Sequence, residues 1–257
     1  MTLQEFFEKY NRVALAFSGG VDSAYLLYAA AKYATRVKAY YVRSAFQPQF
    51  EYDDAIRLIS DIRDMGLEVE LQVIDVDIFA DEQVVANPDN RCYYCKQSIF
   101  GAIQEAAALD DFDVIIDGTN ASDDYDDRPG MKALQEMEVL SPLRLCGLTK
   151  DDVRKYSKEV GLFTWDKPSY ACLATRIPAN QRITREDLDR TEWAEDYLHE
   201  LGFLDCRVRL RGDAAQLEIN EEQMDVFEKK KEEIYTHLML KYDEVLDDVK
   251  CRFYTKK

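Results

Sequence analysis

An α/β fold built on a parallel sheet, followed by a smaller α+β domain, is predicted by three observations. Short apolar runs at 13–17, 37–42 and 114–116 alternate with amphipathic helical patterns, the signature of βαβ units with right-handed crossovers. A turn rich in Gly and Ser, Ser18-Gly19-Gly20-Val21-Asp22-Ser23, lies directly after the first of these runs, at the carboxyl edge where open α/β sheets take anionic ligands. After an aperiodic stretch the order changes to helix, strand, strand, helix, strand. The boundaries read as a sheet domain at 1–165, a linking loop at 166–182 and a small α+β domain at 183–257.

The elements follow in order. Leu3 to Tyr10 reads as a short amphipathic helix leading into the strand Val13–Phe17. Beyond the turn, Leu26, Leu27, Ala30, Ala31 and Ala34 recur at helical spacing. Val37–Val42 is a second strand, and Ala55, Leu58, Ile59 and Ile62 mark a helix that stops at Gly66. Glu68–Val73 and Val114–Asp117 continue the sheet, and Val139–Leu143 reads as its last short strand. Thr149 caps a helix that Gly161 ends. In the second domain Ala194, Tyr197, Leu198 and Leu201 line a helix, Cys206, Val208 and Leu210 alternate with three arginines, and Leu217 and Ile219 flank an outward Glu218. A helix at 221–239 and a weak strand near Cys251–Tyr254 complete it.

Composition narrows the function. A chain of 257 residues is long enough for one substantial core with a smaller companion. Its net charge of −17 repels nucleic acid and anionic membrane in the absence of a local basic patch. No apolar run reaches transmembrane length, and the first residues lack a basic, apolar leader, so a cytoplasmic location is expected. Six cysteines in such a chain suggest thiols or metal ligands rather than a disulfide framework.

The turn carries the first chemistry. Gly19 and Gly20 permit positive φ and close approach, so successive N–H groups can form an anion nest, and the following helix adds free N–H groups. Ser18 and Ser23 can donate to phosphate oxygens, and Asp22 is placed to hold Mg2+ on the same phosphates. The pattern is neither Walker A nor the dinucleotide fingerprint; it resembles the SGGxDS loop of the N-type ATP pyrophosphatases, the PP-loop enzymes that cleave ATP to AMP and pyrophosphate. Ser44 after the second strand, Gly118 in Asp117-Gly118-Thr119-Asn120, and Arg128 closing the acidic stretch 123–127 share that sheet edge and join the expected ATP-binding set. The acidic stretch itself reads either as solvated surface or as a lid or magnesium site.

The second signal is Arg91-Cys92-Tyr93-Tyr94-Cys95-Lys96. A CxxC brings two sulfurs within reach of one metal or close enough for redox work, or is simply two buried thiols. A four-cysteine zinc site needs a second pair, which this chain lacks, and His199 and His237 sit in helical patterns as ordinary surface or core residues. Cys172, in the aperiodic segment, is the natural third thiol.

Taken in order, the Ser18–Ser23 loop, Arg91–Lys96, Asp117–Asn120, Arg128-Pro129-Gly130, Ala171-Cys172-Leu173-Ala174-Thr175-Arg176, Leu201-Gly202-Phe203 and Arg207-Val208-Arg209 resemble the LarE-type sulfur transferases over nearly the whole chain. The resemblance implies a PP-loop ATP pyrophosphatase domain, the 166–182 loop at its active site, and a small substrate and oligomerisation domain. It also implies adenylation of a carboxylate of pyridinium-3,5-biscarboxylic acid mononucleotide and its conversion to a thiocarboxylate, in the biosynthesis of the nickel-pincer cofactor of lactate racemase. Some members sacrifice the sulfur of a cysteine at the Cys172 position; others hold a 4Fe–4S cluster on three thiolates, and Cys92, Cys95 and Cys172 match that type. Three thiolates leave one iron open for hydrosulfide. The tail Lys250–Lys257 departs from the Gly-Tyr-Arg-Ser-Gly ending of the family, which bears on the homo-oligomer contacts expected there.

Arg207 and Arg209 are phosphate donors by type, and the small-molecule substrate carries its own phosphate; the competing reading pairs them across the hairpin with Glu218. Arg176, four residues after Cys172, is expected near the adenylate as a catalytic group beside Asp22 and Cys172. A PP-loop tRNA thiolase is the alternative enzyme, disfavoured by charge. A nucleotide sensor without chemistry would have no use for the three thiols.

Overall fold

The computed structural model describes residues 1–123 and 129–252. The chain divides into two compact units: 1–84 with 89–169, and 85–88 with the chain from Tyr170 onward.

In the first unit, α1 (Leu3–Lys9) precedes β1 (Arg12–Ala16), α2 (Val21–Tyr33), β2 (Arg36–Arg43), α3 (Gln49–Asp64) and β3 (Glu70–Asp75). There follow α4 (Glu82–Val85), α5 (Arg91–Leu109), β4 (Ile115–Ile116), α6 (Pro129–Glu136), α7 (Pro142–Leu145) and α8 (Lys150–Glu159). The sheet is parallel in the order β3-β2-β1-β4, with Leu15 opposite Ala39 and Ile116. Successive residues of β1 enter different apolar clusters: Val13 and Leu15 pack with Leu26, Leu27, Leu58 and Ile62, while Ala14 packs with Tyr40, Phe100 and Ile103. Both faces are therefore covered, as a parallel sheet requires, and the loop after β1 is left at the open carboxyl edge.

The expected strand Val139–Leu143 is a single bridge between Ile116 and Leu140. Pro142 has no N–H to give to a ladder and instead opens α7, a position that suits its fixed φ. The capping box predicted for Thr149 and Asp152 is present at α8. The 19-residue α5, which carries the CxxC, has little signature in the sequence: its apolar positions form no clean stripe, and its N-cap, Asn90, makes no side-chain cap bond. Arg128 and the acidic residues 124–127 lie outside the described residues.

The second unit holds α9 (Arg185–Glu200), β5 (Cys206–Arg211), β6 (Ala214–Asn220), α10 (Met224–Leu238), β7 (Glu244–Val245) and β8 (Lys250–Arg252). β5 pairs antiparallel with β6, whose other edge takes β7 and then β8 in parallel. Leu198, Phe203, Val208, Leu217, Phe227 and Ile234 form its core. The weak terminal strand was expected at 251–254 and is found at Lys250–Arg252; residues 253–257 lie outside the described set. Among the described residues no helix is long and apolar enough to cross a membrane.

Candidate active site

Two glycines shape the surroundings of the turn after β1, one by its backbone conformation and one by close approach. Gly19 has φ +73°, and a Cβ there would stand 3.2 Å from Ala55 Cβ and 3.3 Å from the Glu51 carbonyl oxygen. Gly118, just after β4, lies against the start of α2, where a Cβ would come 2.9 Å from the Ser23 backbone nitrogen. Gly118 thus lets α2 approach the sheet edge. Gly20 is the N-cap of α2 and supplies no side-chain cap, so the helix offers its first N–H groups to an anion. Ser18 and Ser23 face each other, Oγ to Oγ 3.1 Å, and the Ser23 hydroxyl donates to the Gly20 carbonyl at 3.2 Å.

Asp22 is the focus of the charge. Lys150 Nζ donates to one carboxylate oxygen at 2.5 Å and Asn120 Nδ2 to the other at 3.2 Å. Burial pushes the Asp22 carboxyl above the ordinary aspartate value, with nearby Asp123 adding to the rise; Lys150 and Asn120 oppose it without cancelling it. Asn120 is aimed by the strand end before it: buried Asp117 accepts from Ser141 Oγ at 2.6 Å and Thr119 Oγ1 at 2.5 Å. Lys150, the first residue of α8, was not singled out from sequence; its only local signal was the capping box of the helix it opens.

Ser44 is placed differently from expectation. It is buried, its N–H and hydroxyl both donate to Gln47 Oε1, and its Oγ accepts from Phe46 N–H. Its hydroxyl therefore locks the turn after β2.

Cys92 and Cys95 sit one turn apart at the start of α5, hence on one face; Cys92 is exposed and Cys95 half-buried. Lys96 follows them. Burial lowers its ammonium pKa, while Asp117, Asp123 and the two thiols pull the other way. Gly130 lies against it: a Cβ there would stand 3.1 Å from both Lys96 Cδ and Cε. The place of Lys96 directly after the CxxC is the one local signal the sequence carries for it.

In the second unit Cys172 is half-buried and immediately precedes a short 3₁₀ turn, Leu173–Arg176. Arg176 is 1% exposed and bonds in a fork to Glu195, with Nε to Oε1 at 2.7 Å and Nη2 to Oε2 at 2.9 Å. Its Nη1 donates to the Ala171 carbonyl at 2.9 Å and Thr175 Oγ1 at 2.7 Å. The guanidinium, expected near the adenylate, is here engaged by its own loop and by Glu195. Arg207 is also buried, paired with Asp205 at 3.2 Å and lying over the Tyr170 ring. Arg209 pairs with Glu218 across the hairpin and donates to the Thr175 carbonyl at 2.7 Å, so the competing cross-strand reading describes it. His237 is stacked between Trp193 and Tyr197. Among the described residues no three His, Cys, Asp or Glu side chains gather as a metal site.

A parallel sheet with the SGGVDS turn at its carboxyl edge fits the PP-loop class, and the similarities that follow make the chain an ATP-dependent sulfurtransferase of that class. More narrowly, it belongs to the ThiI family, since the profile described as "Thiamine biosynthesis protein (ThiI)" matches residues 9–192. It is 35% identical over 225 residues to an uncharacterised protein of Synechocystis, covering 88% of this chain and 82% of that one. It is 31% identical over 228 residues to the pyridinium-3,5-bisthiocarboxylic acid mononucleotide synthase of Lactiplantibacillus plantarum, covering 88% and 81%. The tRNA-specific 2-thiouridylase of Thermotoga petrophila is 24% identical over 188 residues, 59% of this chain and 52% of that protein.

Proposed function

We propose that this enzyme adenylates a carboxylate of a pyridinium-3,5-biscarboxylic acid mononucleotide and replaces the resulting acyl-phosphate oxygen by sulfur, in nickel-pincer cofactor biosynthesis for lactate racemase. The observation that carries the reading is the Asp22–Asn120–Lys150 cluster at the head of α2, joined to 31% identity over most of the chain with a synthase of the bisthiocarboxylic acid mononucleotide. The α2 N-terminus and the Ser18 and Ser23 hydroxyls would hold the pyrophosphate portion of ATP. Asp22 would hold Mg2+, which supplies neutralisation of the phosphate charge. Lys150 stands within reach of the same phosphates and adds a cation that stays when pyrophosphate leaves. The substrate carboxylate attacks the α-phosphorus, pyrophosphate departs, and a sulfur nucleophile then expels AMP from the acyl carbon.

Soft thiolates on one face of a helix turn fit an iron–sulfur ligand set. Cys92, Cys95 and Cys172 would hold the 4Fe–4S cluster, which supplies an open iron able to carry the sulfide. The sacrificial use of Cys172 is the other route to the same product. We read it as a cytoplasmic homo-oligomer acting on a small nucleotide; the charge of −17 supports its acting on neither nucleic acid nor anionic membrane and argues against tRNA thiolation. The test is anaerobic incubation with ATP, sulfide and the biscarboxylic mononucleotide, followed by mass spectrometry. A thiocarboxylate product supports the reading; ATP cleavage with thiolation of tRNA and none of the mononucleotide overturns it.

A further inference from the structure

The 170–176 segment is tied at both ends to one carboxylate. Glu195, on α9 and 1% exposed, accepts from Tyr170 Oη at 2.5 Å and from two nitrogens of Arg176. It also accepts from the Val208 backbone N–H at 2.8 Å, which fixes it to β5. Two guanidiniums, those of Arg176 and Arg207, each lie 4.7 Å from the centroid of the Tyr170 ring. Inside this closed ring is Cys172. Its carbonyl accepts from Thr175 N–H at 3.0 Å and Thr175 Oγ1 at 2.8 Å, and Arg176 Nη1 spans the carbonyls of Ala171 and Cys172.

A fully buried carboxylate is costly, and a buried ion pair is a weak device for stability, because apolar residues of similar volume serve as well or better. Burial pushes the Glu195 carboxyl up, yet its four donors more than reverse this and hold it ionised. What the pair provides is direction. A short segment with two tyrosine- and arginine-length tethers to a single point keeps few conformations, and the residue so held is the thiol to which sulfur transfer is assigned.

We propose that Glu195 is a positioning residue for Cys172, acting through Arg176 and Tyr170 and touching no reacting atom. This rests on the reading that Cys172 serves the sulfur-transfer step. The test compares the full-length wild type with Glu195→Gln, which keeps shape and removes charge, and with Tyr170→Phe, which removes one donor and leaves the ion pair. Three readings are taken: AMP and pyrophosphate release in the adenylation half-reaction, thiocarboxylate formation, and iodoacetamide labelling of Cys172 relative to exposed Cys251 by peptide mass spectrometry. In Glu195→Gln, thiocarboxylate formation falls by about tenfold or more while the KM for ATP and the adenylation rate stay within about twofold. The Cys172:Cys251 labelling ratio rises about threefold or more as the segment opens locally. Tyr170→Phe moves both in the same direction by less, and it decides the matter if Glu195→Gln does not fold. Equal losses in adenylation and transfer mark a merely structural role and overturn the proposal, as does an unchanged labelling ratio. If the wild type transfers no sulfur, the enzymatic reading fails by itself and the labelling ratio still judges the positioning.

Discussion

Replacing Gly118 by alanine tests how closely α2 must approach the sheet edge. The added Cβ would lie 2.9 Å from the Ser23 nitrogen and 3.2 Å from the Ser23 Cα. Both are backbone atoms, so no side chain can swing away and either β4 or the first turn of α2 must shift. Overpacking of this kind costs about 1–3 kcal/mol. With roughly 2–4 °C of melting temperature per kcal/mol in a domain of this size, the drop is on the order of 2–12 °C. Activity should fall further than stability does, because the same shift moves the N–H groups and Asp22 off the phosphate positions, and a small misplacement can cost about a hundredfold. Gly20→Ala is the internal control: its φ is −76°, and the nearest atom to a new Cβ is Ser18 Oγ at 3.5 Å, so it should fold and melt close to the wild type. The assay is thermal unfolding alongside pyrophosphate release. A Gly118→Ala protein that melts and turns over like the wild type would refute the close-approach argument.

Three further expectations concern single side chains. Lys150→Met removes the cation bonded to Asp22 and should lower kcat/KM for ATP by about tenfold or more, measured by pyrophosphate release; an unchanged value would assign the pair to structure alone. Because burial raises the folded pKa of Asp22, its contribution to stability is fully present below the unfolded value and is lost as pH rises through the folded one. Binding of magnesium–ATP, which needs the ionised form, changes in the opposite sense and weakens as pH falls through that window. Its acid limb should therefore lie above the ordinary aspartate range, and Asp22→Asn should show weak binding without that limb. For the thiols, anaerobically purified protein should be brown with about four irons per chain, and alanine at Cys92, Cys95 or Cys172 should lose colour and sulfur transfer. Colourless, iron-free, active protein would remove the cluster, while a single turnover that leaves Cys172 as dehydroalanine would select the sacrificial route.

Much of the first unit is legible in periodicity because β1 is buried on both faces and α3 carries one apolar stripe. The SGGVDS turn was legible for the same reason, since its position after an apolar run is itself the signal. What escaped was set by contacts between distant positions. Lys150 lies 128 residues from Asp22, and nothing local to either announces their pairing. The partners of Arg176 and Arg207, Glu195 and Asp205, are not legible because a sequence shows the charge and not what it meets. Glu195, in a helix whose neighbours are mostly charged, gave no sign of being buried. Pro142 is the local signal against a strand there, since it has no N–H to give to a ladder.

The central claim is that a substrate carboxylate oxygen attacks the α-phosphorus of ATP. It is tested most directly by supplying the mononucleotide with its carboxylates labelled in heavy oxygen and examining the nucleotide products by mass spectrometry. The predicted result is AMP carrying one heavy oxygen for each thiocarboxylate formed, with unlabelled pyrophosphate. ADP with labelled phosphate, or unlabelled AMP accompanying thiocarboxylate, would contradict it.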